Sequence, residues 1–222
     1  RVRAFMARRA PGGELSTARR EADEPRIISG LNEAGRTCGA PLCAVIENAD
    51  ARPGDYKALK DLPRPGHADY PAWVKFDGNN DARGGGQFSG RLTAPLCFAG
   101  ALCLQFLEER GVHIAARIAS VADVDDAPAG IPDEALLRRL SASSFPTLDA
   151  AAGEAMRRRI REARDAGDSV GGVLEVFAVG VPAGLGDPMF DGMENALAAA
   201  AFGIPGVRGV EFGEGFRASR MR

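Results

Sequence analysis

The chain has few of the residues that build metal sites. Of its 222 residues, two are histidine and four are cysteine. Cys38, Cys43, Cys97 and Cys103 show no metal-type spacing, and with only two histidines beside them no metal site is expected. The cysteines fit buried thiols in a reducing cytosol better than disulfides. Net charge is also scarce, at −2, so no general basic field favours nucleic acid. The longest apolar stretch, Thr93 to Phe106, reads as too short to span a bilayer. No secretory signal pattern is present, and the expected location is cytoplasmic, with no membrane partner.

What is present suits a folded core and a local anion site. Hydrophobic residues make up 45% of the chain, enough for a substantial core, and one domain is the default at this length. Arginine gathers near the start at Arg1, Arg3, Arg8, Arg9, Arg19, Arg20, Arg26 and Arg36, interrupted by acids. The densest chemistry lies in Arg64-Pro65-Gly66-His67-Ala68-Asp69-Tyr70 and in Asp81-Ala82-Arg83-Gly84-Gly85-Gly86-Gln87-Phe88-Ser89-Gly90-Arg91. A histidine, three arginines, a glycine triplet and a serine fall within 28 positions, 64 to 91. Glycine lets backbone N–H groups approach an oxyanion, and guanidinium forks bind phosphate or carboxylate at two points.

The pattern of elements is mixed. Residues 1–10 read as helix, stopped by Pro11-Gly12. Residues 11–37 read as loop with a short strand near Ile27 to Ser29, and Leu42 to Asn48 is β-compatible. Residues 49–90 carry much Gly, Pro, Asn and Asp, and a loop of that length in a compact domain is usually functional or disordered. Leu92 to Arg110 reads as a helix with Gly111 as its C-cap, and Val112 to Val121 as a strand. An acidic connector over 123–132 precedes a helix over Leu148 to Ala166, whose Arg157 to Arg164 charge run reads as a solvated face. Val170 to Val181 alternates as a strand, Pro188 to Phe202 is an alanine-rich helix, and Val207 to Phe212 reads as a final strand. The expected class is α+β, helices packed on antiparallel or mixed sheet.

The ordered segments resemble chorismate synthases. The likeness runs through Arg8-Arg9-Ala10-Pro11-Gly12, Ser16-Thr17-Ala18-Arg19-Arg20-Glu21-Ala22-Asp23, Ser29-Gly30, Gly39-Ala40-Pro41, Glu47-Asn48 and Asp55-Tyr56. It continues through the RPGHADY and RGGGQFSGRLTAP segments, Gly167 to Gly172, Gly180 to Pro188 and Gly206 to Gly213. The resemblance implies one domain over 1–222, incomplete at both ends, with a β-α-β sandwich core. It implies a lyase that converts 5-enolpyruvylshikimate 3-phosphate to chorismate and phosphate, the last step of the shikimate pathway toward aromatic amino acids. That reaction is a 1,4-anti elimination with reduced FMN (FMNH2) and no net redox change. NADPH is the implied electron source, and a homotetramer the implied assembly.

Residue roles follow from the same resemblance. His67 is the implied catalytic proton carrier beside the flavin, suited by an imidazole pKa of about 6.5. On sequence grounds alone a lone histidine is more often structural, as His113 is read to be, and the family likeness reverses that for His67. Arg9, Arg64 and Arg91 are the implied substrate-anion contacts, and the phosphate and two carboxylates of the substrate suit several forks. Arg64, Gln87, Phe88 and Ser89 hold the implied flavin positions, Gln87 and Phe88 standing where Arg and Ser are commoner. Arg1, Arg3, Arg26 and Arg83 read as surface residues, Arg8, Arg19 and Arg20 stay open, and Asp168 to Gly172 and Pro182 to Pro188 read mainly as folding elements.

Three family elements do not occur within 1–222: a Phe-Gly-Glu-Ser-His-Gly segment with a second histidine, a flavin-side loop, and a late Lys/Arg/Asp set. Two readings of function therefore stand. One is a working chorismate synthase whose ends lie outside this sequence. The other is a truncated, non-catalytic relic that folds and oligomerises, or binds flavin and anions weakly. An NAD(P)H-dependent flavin reductase is disfavoured, because no GxGxxG lies between a strand and a helix.

Overall fold

The computed structural model describes residues 1–16, 21–48, 54, 62–81 and 83–222. Arg19, Arg20 and the Asp55-Tyr56 pair lie outside the described residues. The fold is α+β, and the chain divides into two compact units. The first comprises Arg1–Asp50 and Cys97–Val181, the second Ala51–Leu96 and Pro182–Arg222.

In the first unit, helix α1 (Val2–Arg9) ends where Ala10 turns extended ahead of Pro11. A two-stranded antiparallel ribbon follows, β1 (Pro25–Ser29) against β2 (Cys43–Ile46). Helix α3 (Thr93–Glu108), whose residues from Cys97 onward belong to this unit, leads to a glycine turn at Gly111, whose φ is +75°. Then comes a three-stranded antiparallel sheet in the order β4 (Val124–Asp125), β3 (His113–Val121), β5 (Gly172–Val179). Gly180, just past β5, has φ +81°, and a Cβ there would lie 2.1 Å from the Gly111 carbonyl oxygen. The close approach of those two turns therefore needs glycine.

One face of the sheet carries the core. Ala115 of β3 sits opposite Phe177 of β5, and helix α4 (Glu134–Ala142) presses Leu137 and Leu140 onto them. Asp133 caps α4 by accepting from Leu136 N at 2.7 Å, and Asp149 caps α5 (Ala150–Asp165) by accepting from Ala151 N at 2.8 Å. Met156 of α5 is fully buried, while the arginines from 157 to 164 include surface pairs such as Arg159–Asp123 at 2.7 Å. A buried ionic network pins the sheet to the helices. Arg117 donates from Nε to Glu175 at 2.6 Å, and from Nη1 to Asp126 at 2.7 Å and the Ala127 carbonyl at 2.7 Å. Asp126 in turn accepts from Leu148 N at 2.7 Å and Asp149 N at 2.9 Å. Burial works to raise the Asp126 pKa, but these N–H donors and Arg117 outweigh it, and the carboxyl is held below the ordinary range.

In the second unit, helix α2 (Asp69–Lys75) and two 3-10 turns, Gly86–Phe88 and Gly90–Leu92, shape the segment that ends at Leu96. Helix α6 (Met193–Phe202) and a last 3-10 turn (Gly215–Arg220) lie in the other segment.

Four expectations are corrected. Val207 to Phe212 forms no strand, because it has no ladder partner among the described residues. The alanine-rich helix begins at Met193 rather than Pro188, since the chain first turns back through an Asp187 N to Asp191 carbonyl bond of 3.0 Å. The thiols are not buried: Cys38, Cys43 and Cys103 are exposed and Cys97 is half-buried. Cys43 stands in a ribbon of only two strands, and α3 leaves large apolar residues such as Leu96 and Phe106 uncovered. Finally, the Gly90–Leu92 turn runs straight into α3, giving 19 helical residues over Gly90–Glu108. At about 1.5 Å per residue that length approaches a bilayer's hydrocarbon thickness, so length and composition do not exclude a span.

Candidate active site

The RPGHADY segment forms a closed loop at the start of α2. Gly66 has φ +73°, a left-handed conformation that glycine adopts without strain. His67 N donates to the Arg64 carbonyl at 3.3 Å. Asp69, the first residue of α2, receives three bonds from Arg64: the backbone N at 3.0 Å, Nε at 2.8 Å and Nη2 at 2.9 Å. The two side-chain bonds make a guanidinium–carboxylate fork. That fork holds the Asp69 carboxyl down at about 2, against the upward push of burial, with help from the Arg64 amide and nearby His67.

The His67 ring is also tethered. Its Nδ1 lies 3.1 Å from the Pro65 carbonyl oxygen. A carbonyl only accepts, so this contact is a hydrogen bond when Nδ1 carries the proton, which in the neutral ring leaves Nε2 to exchange one.

The glycine-rich segment turns by similar means. Gly84 and Gly86 have φ +136° and +50°, and a Cβ on Gly85 would sit 2.9 Å from the Ser89 Cβ. Ser89 caps the next turn, its Oγ accepting from Arg91 N at 3.2 Å. Thr93 Oγ1 then donates to the Gly90 carbonyl at 2.6 Å, carrying the chain into α3.

Together the two segments enclose a cavity of about 750 Å³. Arg64 and Asp69 line it, with Gly84 to Phe88 and four aromatic rings, those of Tyr70, Trp73, Phe76 and Phe88. Tyr70 and Trp73 stack at 6.5 Å between centroids with 15° between planes, and Phe76 meets Phe88 at 6.5 Å, tilted by 47°. The lining sets apolar rings, each still partly exposed, beside a few placed polar groups.

Of the residues singled out from sequence, Arg64, Gln87 and Phe88 line this cavity, while His67, Ser89 and Arg91 stand beside it in the same segments. Arg9 belongs to the first unit, where it ion-pairs with fully buried Asp23, a residue in the left-handed region at φ +47°. Arg1, Arg3, Arg26 and Arg83 are exposed, and Arg8 lies over the Phe5 ring at 5.9 Å. His113 is partly buried in β3, 3.6 Å from Glu134. Asp168 accepts from the adjacent Ser169 N at 2.8 Å, a local turn contact. Sequence reasoning missed Asp69, Tyr70, Trp73 and Phe76 as site residues. The available signal was spacing, since 69, 73 and 76 share one helical face.

Comparison with known proteins identifies the family. The chorismate synthase family model matches residues 1–222. The chain belongs to the chorismate synthase family. It is 39% identical to the chorismate synthase of Lancefieldella parvula over 99% of this chain and 61% of that protein. It is 46% identical to that of Thermococcus gammatolerans over 100% of this chain and 60% of the relative. A crystal structure of chorismate synthase superposes with a TM-score of 0.69 at 27% identity, covering 89% of this chain and 56% of that one. The chain thus spans about three fifths of the length of the relatives it matches. Membership places it in an enzyme family.

Proposed function

We propose that the protein carrying this chain is a chorismate synthase, a lyase that takes 5-enolpyruvylshikimate 3-phosphate to chorismate and phosphate. The observation that carries the reading is the cavity formed by the RPGHADY loop and the glycine-rich turn, bordered by four rings and fixed at one corner by the Arg64–Asp69 fork.

The residues fit a reduced flavin. Four aromatic rings offer faces and edges to a planar tricyclic ring, and the Gly84–Gly86 turn lets main chain come close to it. Gln87 offers both a donor and an acceptor to ring heteroatoms. When bound, reduced FMN supplies the electron-rich ring that this elimination needs without net redox change. NADPH as electron source, a homotetramer and a cytoplasmic location belong to the same proposal.

The chain's own groups divide the remaining work. His67 moves a proton through Nε2 while Nδ1 stays tied to Pro65. Arg91, with its backbone set by Ser89, contributes a fork to the substrate's anionic groups, and the family likeness gives Arg9 a similar part. Arg64 is committed to Asp69 through two of its donors, so its first task is to hold the cavity wall.

The test is anaerobic turnover of the protein as the cell makes it, with chemically reduced FMN and the phosphorylated substrate. Chorismate and phosphate in equal amounts are expected. A folded protein that binds flavin but forms no chorismate would favour the relic reading.

A further inference from the structure

We propose that Asp69 is the positioning residue of this site: by clamping both the backbone and the side chain of Arg64 it closes the loop that holds His67 in one tautomer. The proposal rests on the reading of His67 as the proton carrier.

The geometry is specific. Asp69 Oδ2 accepts from Arg64 N at 3.0 Å and from Arg64 Nε at 2.8 Å, while Oδ1 accepts from Nη2 at 2.9 Å. One carboxylate therefore fixes the first residue of the loop at main chain and side chain together. Its own position is set by the first turn of α2, so the clamp ties the loop to a regular element. The loop between is short and closed again by the His67 N bond to the Arg64 carbonyl at 3.3 Å. Gly66 alone takes the left-handed step the closure requires. Within that closed turn the Pro65 carbonyl reaches His67 Nδ1, 3.1 Å away. The carbonyl fixes the tautomer, and the carboxylate fixes the carbonyl's place through Arg64, the residue just before Pro65. This is the outer support that decides which imidazole nitrogen carries the proton. Asp69 itself also lines the cavity, half-buried like Arg64, so the clamp operates at the wall of the site.

The alternative is that the fork serves only the fold. Tautomer separates the two, because a purely structural ion pair would not dictate the state of a neighbouring ring. The measurement is 15N NMR of the imidazole nitrogens at alkaline pH, where the rings are neutral, in the wild-type protein and in Asp69→Asn and Arg64→Lys. No flavin or substrate is added. His67 is assigned by loss of its signals in His67→Ala. In wild type, Nδ1 is expected to show the pyrrole-type shift and Nε2 the pyridine-type shift. Asp69→Asn keeps the side chain's size but loses the ionic fork, and the single tautomer should give way to averaged or inverted shifts. Arg64→Lys keeps the charge but loses the two-point geometry, and should do the same in part. Wild-type shifts retained in both folded variants would overturn the proposal, and so would an Nε2-protonated ring in wild type. Failure of both variants to fold would overturn it too, by assigning the clamp to the fold. Because the readout needs no turnover, a protein that shows the tautomer yet never makes chorismate would contradict the functional reading alone.

Discussion

Arg64 differs from the exposed arginines of this chain by what holds it. Arg83 also makes a fork, to Asp81, but it is exposed and local, and pairs of that kind contribute little. Arg64 is half-buried and its fork spans a loop that carries a histidine. The sequence reading already set Arg83 apart as a surface residue, but it did not show the Arg64 fork, because a fork depends on where the partner carboxylate lies. His67 itself was legible as a functional residue only through the family likeness, whereas its tautomer follows from one carbonyl. At this scale, His67→Ala should lower turnover by about 10²–10⁴-fold, the usual size of a lost acid–base group, with FMN affinity kept. Steady-state rates alongside a flavin titration check this, and unchanged turnover would remove His67 from its role. Arg91→Ala should raise the substrate KM about tenfold or more, as expected for loss of a charged contact, with little change in flavin affinity. A fall in flavin affinity instead would mean that Arg91 serves the flavin.

Elements were readable where period and punctuation agreed. Helices α1, α3 and α5, the ribbon and the two long strands stand close to their expected limits, each bounded by a Pro, a Gly or an Asp cap. Two helices were not readable. α2 begins inside a stretch rich in Gly, Pro and Asn and carries Pro71 in its first turn, where a missing N–H costs nothing. α4 is only nine residues long and follows the acidic connector, yet Asp133 caps it and two leucines bury it. Short helices gain most of their stability from packing, which sequence period does not report. The pair β3–β4 was hidden for a related reason, since β4 is two residues long. Truncating the α4 anchor, Leu140→Ala, should cost about 2–5 kcal/mol, because the side chain is almost wholly enclosed against Ala115 and Phe177. Urea unfolding of the variant measures it, and a loss well under 1 kcal/mol would contradict the packing described for α4.

For the molecule as a whole, acid should be destabilising through identified carboxylates. Asp69 sits at about 2 in the fold against about 3.9 in an unfolded chain, and Asp126 is likewise lowered. A depressed folded value means that the stabilisation is present above about pH 4 and is lost as pH falls toward 2. The two groups lie in different compact units, so each unit carries its own acid-sensitive clamp. Melting temperatures taken from pH 7 down to 3 should fall steeply below about 4, and Asp126→Asn should flatten part of that fall. A melting temperature flat across that range would contradict both clamps. The α+β class was legible in the whole pattern. The aromatic wall was not, because α2 itself was hidden in a Gly- and Pro-rich stretch and Phe88 joins its rings only through the glycine-rich turn.

The most direct test of the cavity's assignment uses its own reporter. Trp73 is the single tryptophan of the chain and lines the cavity. Titrating reduced FMN anaerobically while following tryptophan fluorescence should give saturable quenching, weakened in Phe88→Ala and in Gln87→Ala. Fluorescence that does not change up to millimolar FMN, in a folded protein, would contradict the assignment of this cavity to the flavin.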